Sequence, residues 1–216
     1  MKTTAQTENK HITVGVTGPT GAGKSTLRPV TDRLGFVWLD TDIIAREIVM
    51  PGEPALAELA ECFGEDIILP DGSLDRALLA SRAFPTQEGC GRLNAITHPR
   101  VIERLRVLSR QAFDSGKHVI IDAPLLFEAG VDAMCNEVIA VLAPVEVRMN
   151  RIMRRDGLTQ EQALARISAQ KPDDYYAARS GYTMYNDGGV GEFLCSARTV
   201  FGDILHKHID VNVNQY

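Results

Sequence analysis

Short apolar runs and longer stretches of helical spacing succeed one another along this chain. The runs Ile12-Thr13-Val14-Gly15-Val16, Phe36-Val37-Trp38-Leu39, Val119-Ile120-Ile121-Asp122 and Glu137-Val138-Ile139-Ala140-Val141-Leu142 have the length of buried strands, and Tyr182-Thr183-Met184-Tyr185 is a fifth, weaker one. Between them the pattern predicts helices over 24–34, 43–49, 55–62, 145–155, 159–170 and 190–208. Pro29 removes a backbone donor inside the first of these and predicts a bend there, with Gly35 ending the helix. Residues 64–110 read as turns and helices without strands, a helical excursion from an α/β sheet. Thr97-His98-Pro99-Arg100 punctuates that excursion, and Leu74-Asp75-Arg76 opens a helix after the Asp71-Gly72 turn.

The first run leads into Gly18-Pro19-Thr20-Gly21-Ala22-Gly23-Lys24-Ser25-Thr26. This is the strand, glycine-rich loop and helix context of the G-x-x-x-x-G-K-[ST] phosphate-binding motif. The glycines let the backbone turn its N–H groups inward toward phosphate oxygens, next to the positive end of the following helix. Lys24 supplies a mobile cation for the β and γ phosphates of ATP, and the Ser25 hydroxyl supplies a ligand for Mg²⁺.

Acids cluster at strand ends, where open α/β sheets bind ligands. Asp42 can deprotonate or orient a hydroxyl nucleophile, or hold Mg²⁺ through water, and Asp40 can do the last of these. The competing role for Asp42 is a helix cap ahead of Ile43, Ile44 and Ala45. Arg46 is available to an anion, and Arg76 either contacts substrate, pairs with Asp75 or stays solvated. His98 is a donor to substrate or a local cap. After the third run, Asp122 belongs to the polar floor of the nucleotide site. Beyond it, Leu125 and Phe127 line a ligand wall or pack in the core, and Glu128 faces a cleft or begins a helix.

Residues 145–155 carry Arg148, Arg151, Arg154 and Arg155, with Arg148, Arg151 and Arg155 on one helical face by their spacing of three and four. Arg151 and Arg155 are candidates to close over ATP and offset charge on the transferring phosphoryl group; the alternative is a solvated face with acid partners such as Asp156. A second helix begins at Thr159, with Glu161 in place of a full capping box. The two together have the form of a hinged cover.

Composition narrows the partners. The 216 residues carry a formal net charge of -5 and 44% hydrophobic residues, which argues against nucleic acid held by bulk charge and makes any anion site local. Cys62, Cys90, Cys135 and Cys195 are widely spaced with no C-x-x-C pair, which fits a reducing compartment. No run is long enough to span a membrane, and polar residues 1–10 lack a secretory apolar segment. These features point to a cytoplasmic protein with a small-molecule partner.

The stretches Val16 to Thr26, Asp40-Thr41-Asp42-Ile43-Ile44-Ala45-Arg46, Gly72-Ser73-Leu74-Asp75-Arg76, His98-Pro99-Arg100-Val101, Pro124-Leu125-Leu126-Phe127-Glu128 and Asn186-Asp187-Gly188 resemble, in order, those of the dephospho-coenzyme A kinase family, part of the nucleoside-monophosphate-kinase-like group of P-loop proteins. The resemblance implies a three-layer α/β fold around a mostly parallel five-stranded sheet, a helical substrate region and a mobile helical lid. It implies ATP- and Mg²⁺-dependent phosphorylation of the ribose 3′-hydroxyl of dephospho-coenzyme A. Under it Asp42 is the base or orienting acid, Asn186 lies on the nucleotide side, and Arg76, His98 and Glu128 lie on the substrate side. The corresponding division is a tail at 1–10, a nucleotide core at 11–54, 111–144 and 178–216, a substrate region at 55–110 and a lid at 145–177, in a monomer or weak homo-oligomer. The chain departs from the family at Arg148, where glutamine is common, and at Ser180-Gly181, where an Ala-Asp pair is frequent. Another small-metabolite or nucleoside-monophosphate kinase, or a nucleotide-dependent regulatory module, are the alternative readings.

Overall fold

Strand β1 (Thr13–Thr17) is buried along its whole length and lies in the interior of a five-stranded sheet. The computed structural model describes residues 11–209, so the tail expected at 1–10 lies outside the described residues. After β1 come α1 (Arg28–Thr31), β2 (Phe36–Asp40), α2 (Thr41–Glu47), α3 (Pro54–Phe63), α4 (Arg76–Ala83) and α5 (Gln87–Asp114). The remainder is β3 (His118–Asp122), β4 (Glu137–Leu142), α6 (Val145–Asp156), α7 (Gln160–Ser168), α8 (Asp173–Ala177), β5 (Tyr182–Tyr185) and α9 (Val190–His208).

The chain forms two compact units, one from the residues up to Trp38 together with those from Ala112 onward, the other Leu39–Gln111. In the first, the strand order is β2-β3-β1-β4-β5, with β1 parallel to both β3 and β4, and β5 parallel to β4. Connections leave β1 toward β2 on one side and cross from β3 to β4 on the other, so the order reverses at β1. The crevice beyond the carboxyl end of such a strand is where open α/β sheets take ligands.

The sheet is anchored by Ile12, Val14 and Val16, which pack in one cluster with Leu27, Val30 and the α9 stripe Phe193, Ala197, Phe201 and Ile204. Their helical spacing on α9 and alternate spacing on β1 bring the two apolar faces together. Each fully buried side chain of this size contributes about 1.5–3 kcal/mol relative to exposure, so the loop that follows β1 departs from a fixed base.

Several elements differ from expectation. Residues 24–34 are not one continuous helix: a 3-10 turn over Lys24–Leu27 hands over to α1, so the irregularity expected at Pro29 is present, with Pro29 in the first turn of α1, where its missing N–H costs nothing. Thr97–Arg100 is not a break, because α5 runs through Pro99; the Thr97 hydroxyl instead donates to the Leu93 carbonyl one turn back. Glu128 begins no helix and lies in a run of turns from Pro124 to Gly130. A full capping box does open α7, through Gln162, which the pairing of Thr159 with Glu161 overlooked.

In the second unit, Asp75 caps α4 by accepting from the Leu78 N–H at 2.9 Å. Ion pairs link Arg104 to Glu47 at 3.6 Å and Arg100 to Glu58, joining α5 to α2 and α3. Among the described residues no helix is long and apolar enough to cross a membrane.

Candidate active site

The phosphate loop leaves β1 at Thr17 and is shaped by close contacts that only glycine permits. Gly18 has φ 133°, and a Cβ there would lie 2.1 Å from the Val141 carbonyl oxygen of β4. Gly23 has φ 88°, and its Cβ would lie 2.3 Å from Asn186 Nδ2. Side chains at either position would displace backbone or a buried amide.

The loop carbonyls are gripped from one side. Arg148 Nε donates to Thr20 O at 3.0 Å, and Arg151 Nη1 donates to Gly21 O at 3.2 Å and Ala22 O at 3.0 Å. Asn186, only 2% exposed, donates through Nδ2 to Ala22 O at 2.9 Å and receives Arg151 Nη2 on both its backbone and side-chain oxygens. In a trans peptide the carbonyl and the next N–H point in opposite directions, so the N–H groups of Gly21, Ala22 and Gly23 face away from these cations. Ala22 N–H closes a turn onto Pro19 O at 3.2 Å, leaving Gly21 and Gly23 as the donors this arrangement presents. That is an anion-binding concavity built from backbone.

Lys24 Nζ lies 3.6 Å from Asp122 Oδ1 at the end of β3, with both side chains largely buried. The expected acid at the third strand end is therefore present beside the loop lysine. Ser25 is exposed at the mouth of the loop. Hydroxyl and carboxylate oxygens with no thiolate or imidazole are the donor set of a hard cation, so Ser25 fits Mg²⁺ that takes its remaining ligands from phosphate and water. Among the described residues no group of three or more His, Cys, Asp or Glu is placed to hold a metal ion.

The arginines of α6 separate in role. Arg148 is 3% exposed, Arg151 is half-buried against the loop, and Arg155 points to its neighbour Asp156 at 2.7 Å, where Arg166 also binds at 2.6 Å. Hydrogen bonding to Asp156 raises the Arg155 guanidinium above its ordinary range. The single face that spacing predicts thus delivers two arginines to the loop and one to a local acid.

Asp40, not Asp42, is the cap of α2: its carboxylate accepts from Asp42 N at 2.9 Å and Ile43 N at 3.3 Å. Asp42 is exposed in the first turn, and its carboxylate accepts none of the cap hydrogen bonds. Arg46 and Arg76 come together, with Arg76 Nη2 donating to the Arg46 carbonyl at 3.4 Å. His98 is half-buried on α5, and burial lowers its imidazole from the ordinary range, so it is neutral at neutral pH.

In the turn after β3, Leu126 is fully buried while Leu125 is 59% exposed. Phe127 packs edge to face on Tyr175 at 6.1 Å, and burial together with the nearby Glu128 carboxylate raises the Tyr175 phenol above its ordinary range. All four cysteines are free, and burial with Asp132 nearby pushes the Cys135 thiol up to about 12, so it is no nucleophile.

A parallel sheet reversing at β1, with a glycine loop and lysine at that strand's end, defines a P-loop protein of the kinase-like α/β architecture. The dephospho-CoA kinase family model matches residues 12–192. A dephospho-CoA kinase of Corynebacterium glutamicum is 42% identical over 91% of this chain and 98% of its own length, and one of Corynebacterium jeikeium is 46% identical over 85% and 94%. The solved dephospho-CoA kinase of Campylobacter jejuni superposes with a TM-score of 0.65 at 25% identity, covering 89% of this chain and 96% of that one. The chain belongs to the dephospho-CoA kinase family, whose ATP-dependent phosphotransfer to dephospho-coenzyme A is the last step of coenzyme A biosynthesis.

Proposed function

We propose that this chain moves the γ-phosphoryl group of ATP directly onto the ribose 3′-hydroxyl of dephospho-coenzyme A, with Lys24, Ser25, Asp42 and Arg151 as the working residues. The observation that carries this reading is the outward grip on the loop carbonyls, which leaves the Gly21 and Gly23 N–H groups for phosphate beside Lys24. In-line transfer needs positioning and charge compensation more than covalent chemistry, and fixed N–H donors supply both without reorganising.

Lys24 neutralises charge on the β and γ phosphates, exchanging its Asp122 contact for them. Ser25 would hold Mg²⁺, which when bound supplies Lewis-acid neutralisation of the same oxygens. Asp42 accepts or orients the hydroxyl proton; its exposure and freedom from the cap support that role. To reach the transferring group Arg151 would exchange its contacts to Gly21 O, Ala22 O and Asn186, and Arg155 its contact to Asp156, for phosphate oxygens. Asp40, Arg46, Arg76, His98, Leu125, Phe127 and Glu128 form the proposed acceptor side, and residues 145–177 the proposed lid. Four free thiols support work in a reducing compartment.

A panel of acceptors, with ADP release as readout, tests the acceptor. Dephospho-coenzyme A should exceed adenosine monophosphate and other small alcohols in kcat/KM, and Lys24→Ala should lower that value by about 10²-fold or more. Preference for a nucleoside monophosphate would replace this acceptor with another, and nucleotide binding without any product would favour a regulatory module.

A further inference from the structure

Two side chains remote in the chain, Arg148 and Gln170, converge on the backbone of Thr20 in the phosphate loop. Thr20 N–H donates to Gln170 Oε1 at 2.9 Å, while Thr20 O accepts from Arg148 Nε at 3.0 Å. Arg148 Nη2 donates to that same Gln170 oxygen at 3.3 Å, and Nη1 reaches Asp173 Oδ1 at 3.4 Å. Arg148 is 3% exposed, and each of its three nitrogens thus has a partner. Both backbone polar groups of Thr20 are consumed by this cluster, so Thr20 contributes no N–H to phosphate, and the Gly21 N–H is fixed opposite the Thr20 carbonyl.

We infer that Arg148 is a positioning residue for phosphoryl transfer, which sets the orientation of the Thr20–Gly21 peptide and couples it to the junction between α7 and α8 through Gln170 and Asp173. The planar guanidinium explains why arginine does this. Its nitrogens diverge in a fixed fork and reach a carbonyl, an amide oxygen and a carboxylate at once, whereas a lysine ammonium at the end of a flexible stem cannot hold three acceptors in that plane. Burial of the guanidinium makes the arrangement consequential, since removing it takes the donor from the Thr20 carbonyl and leaves Gln170 Oε1 with the Thr20 N–H alone. The α7–α8 junction and the loop then share one hydrogen-bond network, and a change at Gln170 or Asp173 is felt at the loop.

The inference rests on the ATP-dependent transfer described above but is read out first on nucleotide alone. Titration calorimetry of ATP with Mg²⁺ on the full chain, for parent and Arg148→Met, should show affinity weakened about tenfold, the size of one lost charge-assisted hydrogen bond. The KM for ATP should rise similarly while the KM for dephospho-coenzyme A stays within twofold, and Arg148→Lys should recover little of the loss. A folded Arg148→Met whose ATP affinity and KM match the parent, with only a lower Tm, would show a purely structural arginine and overturn the inference. Should Arg148→Met not fold, Gln170→Met removes the Thr20 acceptor from a half-buried position: weakened ATP binding supports the network, unchanged binding overturns it. A parent that binds ATP but transfers nothing to dephospho-coenzyme A would contradict the acceptor assignment and leave the loop measurement intact.

Discussion

At the scale of single residues, the exchange of roles between Asp40 and Asp42 is the most informative result. The sequence Asp40-Thr41-Asp42 offers two acids for one cap, and α2 starts two residues earlier than its apolar pattern implies, so Asp40 takes the N–H groups. The Asp42 carboxylate is thereby left outside the cap, as its proposed role requires. Asp42→Asn should keep ATP affinity within twofold while lowering kcat by about 10²- to 10⁴-fold, as loss of a general base does. Stopped or steady-state assays giving a near-parental kcat would remove Asp42 from the proton's path.

His118 offers a second residue-level test, this time of stability. Burial, with the nearby His11 ring, lowers its imidazole to about 4, and its Nδ1 accepts from the Ile12 N–H at 3.3 Å, a bond only the neutral ring can make. The unfolded chain binds this proton near the ordinary 6.5 and the folded chain near 4. The stabilisation is therefore complete above about 6.5 and is lost as pH falls toward 4. His118→Asn retains an acceptor without titrating, and Tm measured from pH 7 to 4 should fall less steeply for it than for the parent. Parallel curves would mean that His118 does not sense pH.

At the scale of elements, strands were legible because β1, β3 and β4 are short, apolar and buried, which leaves a direct imprint on sequence. Helix ends were less so. Pro29 marks the first turn of α1 and Pro99 lies within α5, and a missing N–H looks the same in sequence whether it starts a helix or is absorbed by one. The helix expected over 190–208 is α9, and the weight of its apolar stripe can be measured: Phe201, fully buried against β1's cluster, should cost about 3–5 kcal/mol on replacement by alanine. Urea unfolding of Phe201→Ala provides that number, and a loss under 1 kcal/mol would mean that α9 is not pinned by this contact.

At the scale of the whole molecule, the α/β class and the phosphate loop were visible from local pattern alone. The surroundings of that loop were not, because they are made by pairs remote in sequence: Thr20 with Gln170, Gly21 with Arg151, Ala22 with Asn186. No spacing rule links residues 150 positions apart. Helical periodicity grouped Arg148, Arg151 and Arg155 on one face, yet Asp156 withdraws the third and burial gives the first a different task. Gln170 carried no local signal beyond its place ahead of a proline. The family assignment supplies the acceptor, and the loop geometry supplies the means of handling its phosphate donor.

Both meet in the identity of the product. Incubation with ATP, Mg²⁺ and dephospho-coenzyme A, followed by mass measurement and fragmentation, should give a species heavier by one phosphoryl group, carried on the ribose 3′-oxygen, with one ADP formed for each. ADP without a phosphorylated acceptor, or a phosphoryl group at another position, would contradict the account.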